Sequence, residues 1–396
     1  MQNKYDLIIL GGGCAGLSLA MKLSAHGESC PKVLILERRE SYVNDRTWCF
    51  WDTKRTYLKE LVQKHWPKIE IKTAQGSVVV DVKQTPYQML PAEVFYRVAQ
   101  EAIGKNNNIT VQHLVDVQKP PINNNGLWQV LVGNEQYSAL SVVDTRPQKM
   151  PQTGDAVLWQ SFYGHEIACD SAVFSVQTAT LMDFDQTDPA LICFCYVLPM
   201  SATRALIEIT VFAPTPMSAD DLRPKLNLAI DRYTQHSSYQ IIRSEQGILP
   251  MGNYTQTTND KSKTSQTYIY AGLFAGAARP STGFAFQRIQ RWAEQCATSI
   301  LEKKRPVGHQ ADSMVQSAMD YLFLQVLLAQ PKLAPMIFLK LFAHCDSHKI
   351  VRFLSDQAKL SDYLAIIWSL PAWPFLKQLF PYLINRVCRN VARKKH

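Results

Sequence analysis

Tyr5-Asp-Leu-Ile-Ile-Leu10, followed at once by Gly11-Gly-Gly-Cys-Ala-Gly16, is the stretch of sequence that decides the fold. The short, bounded apolar run predicts a parallel β-strand that is buried on both faces. The glycines match a GxGxxG loop, and the amphipathic residues 17–23 that follow predict a helix. A second apolar run, Val33 to Leu36, ends at Glu37. The order of strand, glycine loop, helix, strand and acid predicts a Rossmann-type dinucleotide-binding unit.

The glycine loop supplies the contacts that a dinucleotide needs. Gly11 permits the tight turn, Gly13 lets the backbone approach the pyrophosphate, and Gly16 lets helix and strand pack closely. Ala15 lies in the same loop, and the helix N-terminus offers its N–H groups to the phosphates. Glu37, 21 positions after Gly16, is suited to accept a hydrogen bond from a ribose hydroxyl. This pattern occurs in both FAD and NAD proteins, so at this point the nucleotide stays open.

The composition is that of a globular protein. The 396 residues are enough for two domains, and 46% of them are hydrophobic against 19% charged. The nine cysteines form neither a CxxC pair nor a cluster with metal-ligand spacing, so we expect a reduced, cytosolic chain without a metal site. The first ten residues lack the basic-then-apolar form of a signal peptide. The net charge of +9 suits an anionic lipid surface better than nucleic acid, because no nucleic-acid-binding motif accompanies it.

The rest of the chain predicts a mixed sheet inserted between parts of the nucleotide-binding domain, followed by helices. Alternating and β-branched runs indicate strands within residues 67–83, 108–146, 157–212 and 267–271. Helical patterns cover residues 91–104, 284–303 and, broken by prolines, most of the chain from residue 313 onward. The predicted parts are a nucleotide-binding domain of residues 1–66, 98–156 and 265–305, a substrate domain of residues 67–97 and 157–264, and a C-terminal helical region of residues 306–396.

Eight further segments, in order, resemble the bacterial lycopene cyclase family. They are residues 44–51 (NDRTWCFW), 143–147 (VDTRP), 159–164 (WQSFYG), 181–184 (LMDF), 194–199 (FCYVLP), 206–210 (LIEIT), 247–250 (GILP) and 280–283 (PSTG). Two positions depart from the family pattern. The turn before Pro280 reads Gly276-Ala-Ala-Arg279, and the strand around Glu208 lacks the second acid that some relatives place directly beside the glutamate.

The resemblance implies the fold and the chemistry of that family. The expected fold is α/β with an α+β insertion: a Rossmann-type FAD-binding domain, an inserted substrate domain with a mixed or antiparallel sheet, and a C-terminal helical region. Family members use FAD reduced by NADH or NADPH, and they cyclise the ψ-ends of lycopene through γ-carotene to β-carotene without net redox change. Beside the residues of the N-terminal motif, the resemblance assigns to the FAD site Arg46, Thr47, Gly276, Pro280, Ser281, Thr282 and Gly283.

Glu208 is the predicted catalytic acid. It lies in the apolar run of residues 205–212, where desolvation raises the pKa of a carboxyl group and keeps it protonated. Strand alternation puts Leu206, Glu208 and Thr210 on one face. The residues by themselves leave open a buried glutamate that is paired with an arginine such as Arg204, or a charge on an edge strand, and the resemblance favours the acid.

Asp183 is the second predicted catalytic residue, as a weaker candidate for binding or for helping to orient the acid, although an isolated aspartate is more often a turn or cap residue. Aromatic rings stabilise cations through their π faces. On that ground Trp48, Trp51, Phe162 and Tyr196 are the predicted substrate-binding residues, with ordinary core packing as the alternative for each one.

The C-terminal region predicts contact with a membrane surface. Residues 363–376 form an apolar run of 14 residues, too short for a bilayer span, which needs about 20. No acidic residue follows Asp362, whereas basic residues do: Lys377, Arg386, Arg389, Arg393, Lys394 and Lys395. The run and its surroundings are also rich in aromatic residues, namely Trp368, Trp373, Phe375, Phe380 and Tyr382. We therefore expect a peripheral, interfacial helix on anionic lipid at the cytoplasmic side of a membrane. A core helix with a solvated basic tail is the alternative.

Two other functions stay open at the level of the sequence. One is a flavin-dependent reductase or hydroxylase that acts on a long-chain isoprenoid lipid, which would consume NAD(P)H or O₂ with each turnover. The other is a non-catalytic flavin-binding membrane protein, which would tolerate the substitution Glu208→Gln.

Overall fold

The computed structural model describes residues 3–51, 56–147, 156–185, 188, 190–252 and 266–379. The strands are β1 Asn3–Leu10, β2 Val33–Leu36, β3 Thr47–Trp51, β4 Lys64–Trp66, β5 Lys68–Thr73, β6 Gly76–Asp81, β7 Tyr87–Pro91, β8 Ile109–Gln112, β9 Ile122–Asn124, β10 Leu127–Val132, β11 Glu135–Asp144, β12 Leu158–Cys169, β13 Thr178–Asp185, β14 Ile192–Pro199, β15 Arg204–Ala213, β16 Tyr239–Met251 and β17 Tyr268–Tyr270. The α-helices are α1 Cys14–Ser24, α2 Thr56–Lys59, α3 Ala92–Gly104, α4 Ala219–Thr234, α5 Phe286–Lys303, α6 Met314–Ala329, α7 Ala334–His344, α8 Ser347–Leu354 and α9 Leu360–Ser369. Residues 372–379 are also helical.

The first of two compact units contains the described parts of Met1–Trp48, Leu90–Met150 and Thr255–Asp312. Its sheet has the strand order β8-β2-β1-β11, with β17 beside β11, and all of these strands run parallel. β10 and β9 extend the sheet as antiparallel strands. The side chains of Leu7–Leu10 and Val33–Leu36 are almost completely buried, as expected for parallel strands. The strand, loop, helix and strand predicted from the first 36 residues are therefore present.

The second unit contains the described parts of Cys49–Met89, Pro151–Tyr254 and Ser313–His396. Its large sheet has seven strands in the order β16-β12-β15-β14-β13-β5-β6. All neighbouring pairs are antiparallel except β13 and β5, which are parallel. This is the mixed sheet that the strand signals predicted.

Helix α4 covers one face of this sheet. Leu222, Leu226 and Ile230 of α4 pack with Ile207 and Ile209 of β15 in one buried cluster. Because side chains alternate along a strand, the even-numbered residues of β15 point to the opposite face. The two faces therefore differ in composition. One face carries the apolar core under α4, and the other carries the polar residues described below.

The boundaries of the two units differ from the predicted domain boundaries. The first segment of the nucleotide-binding unit ends at Trp48 and not at residue 66, because β4 pairs with β7 inside the second unit. The next boundary lies at Met89 and not at residue 97, since α3 packs against α1 in the first unit. Of the later described residues, 90–147 and 266–312 belong to the first unit, and 156–185, 190–252 and 313–379 belong to the second.

The described C-terminal region is helical, as the sequence predicted. α7 packs on β5 and β6, and the ring of Phe338 lies 5.7 Å from that of Phe184 between centroids. Among the described residues no single helix is long and apolar enough to cross a membrane; α6 and Pro331–His344 reach that length and hydropathy only as a pair bent by 110°. Phe380, Tyr382 and the basic residues from Arg386 onward lie outside the described residues.

Candidate active site

The predicted nucleotide site lies at the carboxyl ends of three parallel strands. In the sheet register Leu10 of β1 is the partner of Asp144 of β11, which is in turn the partner of Tyr270 of β17. The glycine loop, the Thr145–Arg146 turn and the Gly272 loop therefore begin at one edge of the sheet. Ligands of open α/β sheets bind at this edge.

The glycine loop has the shape of a phosphate cradle. A Cβ atom on Gly16 would lie 2.1 Å from the carbonyl oxygen of Gly11, so this position requires glycine. At Gly13, the N-cap of α1, a Cβ atom would meet only Arg39 Nη2 at 3.9 Å, which leaves the backbone open to a ligand. In the described structure no side chain caps α1, and its first turn holds no acid. The residues present therefore fit a pyrophosphate group.

Glu37 holds the loop in this shape. Its carboxylate accepts hydrogen bonds from the backbone N–H of Gly12 at 2.6 Å and from the backbone N–H of Arg39 at 2.8 Å. Burial opposes ionisation, but hydrogen bonds from Arg39 and Gly12 outweigh it and keep the pKa of Glu37 below its usual value. Its two oxygens also accept hydrogen bonds from the Arg39 side chain, from Nε at 3.1 Å and from Nη2 at 3.4 Å. A carboxylate has about four acceptor sites, so a ribose hydroxyl would take the place of one of these contacts, and the ribose contact stays a prediction.

The Gly272 loop brings the second set of predicted FAD residues to the first. A Cβ atom on Gly272 would lie 3.4 Å from the Cβ of Ala15. Farther along, the N–H groups of Thr282 and Gly283 donate to the carbonyl oxygen of Arg279, which closes a tight turn. The turn also contains Pro280 and Ser281, follows Gly276 (φ 98°), and leads into α5, whose first turn holds no acid.

The remaining residues predicted for this unit lie at its first boundary. Arg46 has a half-exposed side chain near Asp45, and Thr47 begins β3. Trp48 stacks on Phe286 with a centroid distance of 5.1 Å and meets Phe95 edge-on at 5.3 Å. Trp48 is thus part of an aromatic cluster at the start of α5, and its role toward a substrate stays a prediction.

The predicted acid lies in a row of residues that crosses four strands of the second sheet. In the register Tyr196 is the partner of Glu208, Glu208 of Gly164, and Gly164 of Glu245. Partners in register point to the same face, so these side chains stand side by side. A Cβ atom on Gly164 would lie 2.8 Å from the Cβ of Glu208, and this missing side chain lets the two carboxyl groups meet above β12.

The surroundings of Glu208 favour its protonated form. Burial and the negative charge of Glu245, which shares a hydrogen bond with Glu208, raise the pKa of Glu208 well above its usual value. The hydroxyl of Thr210 donates to Glu208 Oε1 at 3.0 Å. Arg204 does not pair with Glu208, which removes the alternative left open by the sequence, because it bonds instead to Glu166 at 2.6 Å.

Three of the four predicted substrate-binding aromatics belong to the unit that contains Glu208. Tyr196 is its neighbour in the row, and Phe162 is the partner of Thr210 and lies over Gly247. The hydroxyls of Tyr196 and Tyr87 are 2.9 Å apart, and the ring of Trp51 lies 4.7 Å from that of Tyr87 between centroids. Burial raises the pKa of both tyrosines well above the usual value, so both phenols are neutral.

Asp183 does not join this group, and its predicted role in orienting Glu208 is wrong. Asp183 is the partner of Cys195, which belongs to the core cluster under α4, on the face opposite Glu208. Its carboxylate accepts a hydrogen bond from the Tyr233 hydroxyl at 2.7 Å and pairs with Arg232 at 2.8 Å. Both partners belong to α4, so Asp183 ties that helix to the sheet.

The sequence reasoning missed Glu245, Gly164 and Tyr87. Glu245 is 37 residues from Glu208 in the chain, and only the strand register brings the two together. The segment containing Gly164 belonged to the resemblance, but the need for a bare backbone at this point has no local signal. Within the described ranges no three side chains of the metal-ligating types form a cluster.

Solved structures with the same fold include one of the halogenase PltM in complex with FAD, with a TM-score of 0.52 at 13% identity over 86% of this chain and 77% of that one. The chain is similar to a geranylgeranyl bacteriochlorophyll reductase-like protein from Thermoplasma acidophilum, with a TM-score of 0.59 at 15% identity over 96% of this chain and all of that one (100%). It is also similar to p-nitrophenol 4-monooxygenase PnpA from Pseudomonas putida, with a TM-score of 0.58 at 14% identity over 92% and 96% of the two chains. At this identity the likeness shows the fold alone, and it confirms the predicted fold class: the chain has the fold of FAD-dependent enzymes.

Sequence relatives give the family. The model of the family described as lycopene cyclase protein matches residues 6–380. The chain is 23% identical to a lycopene beta-cyclase of Pantoea ananas over 96% of its own length and 98% of that protein's. It is 25% identical to one of Paracoccus sp. (strain N81106 / MBIC 01143) over 93% and 95% of the two lengths. This protein belongs to the lycopene cyclase family, which confirms the recognition made from the ordered segments.

Proposed function

We propose that this protein is a lycopene β-cyclase that closes the ψ-ends of lycopene to β-ionone rings, first to γ-carotene and then to β-carotene. One observation carries the proposal beyond family membership. Glu208 is a buried carboxyl group whose pKa is raised by burial, and it stands among aromatic side chains on one face of the second sheet. An acid of this kind can add a proton to a terminal double bond while water is excluded.

The reaction that follows is an isomerisation. Protonation of the terminal double bond leaves a tertiary carbocation, which the neighbouring double bond attacks to close the ring. Loss of a different proton then forms the ring double bond, so the atoms and electrons of the substrate are conserved. The faces of Tyr196 and Phe162 are suited to stabilise the cation, because neutral aromatic rings attract positive charge.

FAD is the cofactor we assign to the first unit. The glycine loop would hold the pyrophosphate, Glu37 the ribose, and the turn that contains Ser281 with the start of α5 the flavin ring. In its reduced form, made with NADH or NADPH, FAD supplies an electron-rich group without net oxidation of the substrate. Gly11, Gly13 and Gly16 contribute backbone only, and Arg46 and Thr47 belong to the same assignment.

Contact with a membrane is the second part of the proposal, since the hydrocarbon substrate resides there. Large apolar side chains are exposed along one side of α9 at Leu360, Leu364, Ile367 and Trp368, and the last of these is 85% exposed. Trp373 in the next helical stretch is 68% exposed, and Lys377 lies over its ring at 5.5 Å. An exposed apolar stripe beside basic residues is typical of helices that lie in the lipid interface. We assign the protein to the cytoplasmic side of the membrane.

The function is tested by expression in a lycopene-producing host with analysis of the pigments. We expect β-carotene with the wild-type chain and unchanged lycopene with Glu208→Gln, while FAD remains bound to the variant. Red lycopene beside folded, FAD-loaded wild-type protein would exclude the cyclase. Consumption of NAD(P)H or O₂ in proportion to product would identify a reductase or hydroxylase instead.

Membrane contact is tested separately with vesicles that contain anionic lipid. We expect that replacing both Trp368 and Trp373 with serine weakens sedimentation with the vesicles at least about tenfold, because each aromatic side chain contributes roughly 1.5–3 kcal/mol when buried in an apolar phase. Leu228→Ser is the matched control, since Leu228 is a similarly exposed apolar residue on α4, at 71% exposure. Equal binding of both variants would refute the assigned surface.

A further inference from the structure

The row of Tyr196, Glu208, Gly164 and Glu245 contains a second carboxyl group that the proposed chemistry does not use. We infer that Glu245 is a positioning residue, which fixes the transferable proton on Glu208 through the hydrogen bond between the two carboxyl groups. The inference rests on the proposed function for the role of Glu208 and extends it to the device that keeps Glu208 protonated.

The two carboxyl groups are equally buried but have different partners. Each residue is 8% exposed. Glu245 forms an ion pair with Arg243 at 2.6 Å, whereas Glu208 accepts a hydrogen bond from the neutral hydroxyl of Thr210 at 3.0 Å. Two carboxylates in contact do not both ionise, and the cation beside Glu245 decides which of them keeps the charge. The proton therefore belongs to Glu208.

A chain of charges extends this asymmetry to the protein surface. Arg243 also bonds to Glu166 at 2.6 Å, and Glu166 bonds to Arg204, whose side chain is 48% exposed. The charges alternate along Arg204, Glu166, Arg243 and Glu245, and their sum is zero. Glu208 lies at the buried end of this chain, and its ionised form would add one negative charge. Because an unpaired buried charge is costly, the protonated form of Glu208 is favoured.

The other titratable groups near Glu208 do not disturb this arrangement. They are Tyr87 on β7, Tyr196 and Cys195 on β14, and Cys49 on β3. Burial raises the pKa of Cys49 to about 12, and it raises the pKa of Cys195 and of both tyrosines well above the usual value. All four are neutral, so Glu245 and Arg243 are the nearby charged groups that influence the ionisation of Glu208.

The inference predicts a pH signature for Glu245→Gln. Cyclisation requires protonated Glu208, so activity falls as pH rises through the pKa of Glu208. Without the negative charge of Glu245, and with Arg243 still nearby, that pKa decreases. We expect the alkaline limb of the pH profile to move about one to three pH units lower, with activity regained in acid. A merely structural role for Glu245 would lower activity at every pH.

Infrared spectroscopy detects the proton on Glu208 directly and does not depend on catalytic turnover. The FAD-loaded wild-type protein should show the C=O stretch of a buried protonated carboxyl group at neutral pH, and Glu208→Gln should lack it. In Glu245→Gln the band should be lost at a lower pH than in the wild type and should return in acid. Glu70→Gln is the matched control, because it neutralises an ion-paired carboxylate of the same sheet that is part of no proposed step.

A second variant is expected to shift the pH profile in the opposite direction. It keeps the inference testable if Glu245→Gln does not fold. Arg243→Met removes the cation that lowers the pKa of Glu208, so its alkaline limb should move upward. Shifts of opposite sign in the two variants, or the upward shift alone if Glu245→Gln does not fold, support the inference. An unshifted infrared band and pH profile in a folded Glu245→Gln would overturn it while leaving the cyclase function intact. Absence of cyclisation in the wild type would refute the proposed cyclase function. The infrared spectra would then still test whether the proton resides on Glu208.

Discussion

The substitution Gly164→Ala tests the geometry of the acid row most directly. Its added Cβ would lie 2.8 Å from Glu208 Cβ, 2.9 Å from the carbonyl oxygen of Ile207 and 3.0 Å from Glu208 Cα. Ordinary van der Waals contact begins near 3.4 Å, so the nearest atom must retreat by about 0.6 Å. None of these three atoms sits at the end of a flexible side chain. The strand β15, with the acid on it, therefore has to move.

The size of the effect follows from the kind of atoms that clash. Overpacking of a closely packed core costs about 1–3 kcal/mol, and we expect the free energy of unfolding of Gly164→Ala to decrease by that amount. Displacement of a reacting group by about 1 Å costs roughly a hundredfold in rate. A shift of about half that size should lower cyclisation at least about tenfold, with FAD still bound.

The assay compares urea denaturation and pigment formation for Gly164→Ala with those for Gly104→Ala. A Cβ atom on Gly104 has no neighbour within 4 Å, and this residue ends helix α3 in the other unit. The control should be neutral or stabilising by up to about 1 kcal/mol, because alanine favours helices over glycine. If Gly164→Ala had the stability and the cyclisation rate of the wild type, the close packing of Gly164 against Glu208 would be refuted. The contact between the carboxyl groups of Glu208 and Glu245 would be refuted with it.

Three further substitutions test other parts of the structure. Gly16→Ala places a Cβ atom 2.1 Å from the Gly11 carbonyl oxygen, so the purified protein should retain little FAD by absorbance; full retention would contradict the cradle. Asp183→Asn should leave cyclisation unchanged and lower the free energy of unfolding by about 1 kcal/mol, since it weakens the contacts of α4 with the sheet; a loss of turnover at unchanged stability would restore a catalytic role for Asp183. Glu208→Gln should gain stability over the wild type as pH rises from about 5 to about 8, measured by urea denaturation. The folded wild type holds its proton with a raised pKa and loses stability above the ordinary glutamate pKa of 4.5, whereas glutamine does not titrate; a constant difference across this range would show that Glu208 is ionised.

The nucleotide-binding half of the fold was predictable because its signals are local. A strand, a glycine loop and an acid lie within the first 37 residues, and each has a physical reason that can be stated from the sequence. In the structure the Gly11 φ angle is 95° and a Cβ atom on Gly16 does not fit, so the glycines are required where the motif places them. Glu37 has an additional role that the motif does not express, since it fastens the loop through Gly12.

The acid site was predictable only in part, because it depends on the register between strands. Alternation within β15 correctly separated Glu208 from its neighbours, but it says nothing about which residues of other strands lie beside it. Asp183 shows the limit: the register of β13 shifts between Thr180 and Asp183, so counting along the strand does not give the face of that residue. Glu245 shows the converse, since a residue remote in sequence completes the site.

The register also explains why this chain does not need the second acid that some relatives place directly beside the glutamate. That position is Ile209, which is 3% exposed and packs in the apolar cluster under α4. A carboxyl group there would point away from Glu208 and would be buried without a partner in the cluster, at a considerable cost. Glu245 instead reaches the same face as Glu208 across the bare Gly164, already neutralised by Arg243. The strand can therefore keep an apolar residue at 209 and still present two carboxyl groups that share one proton.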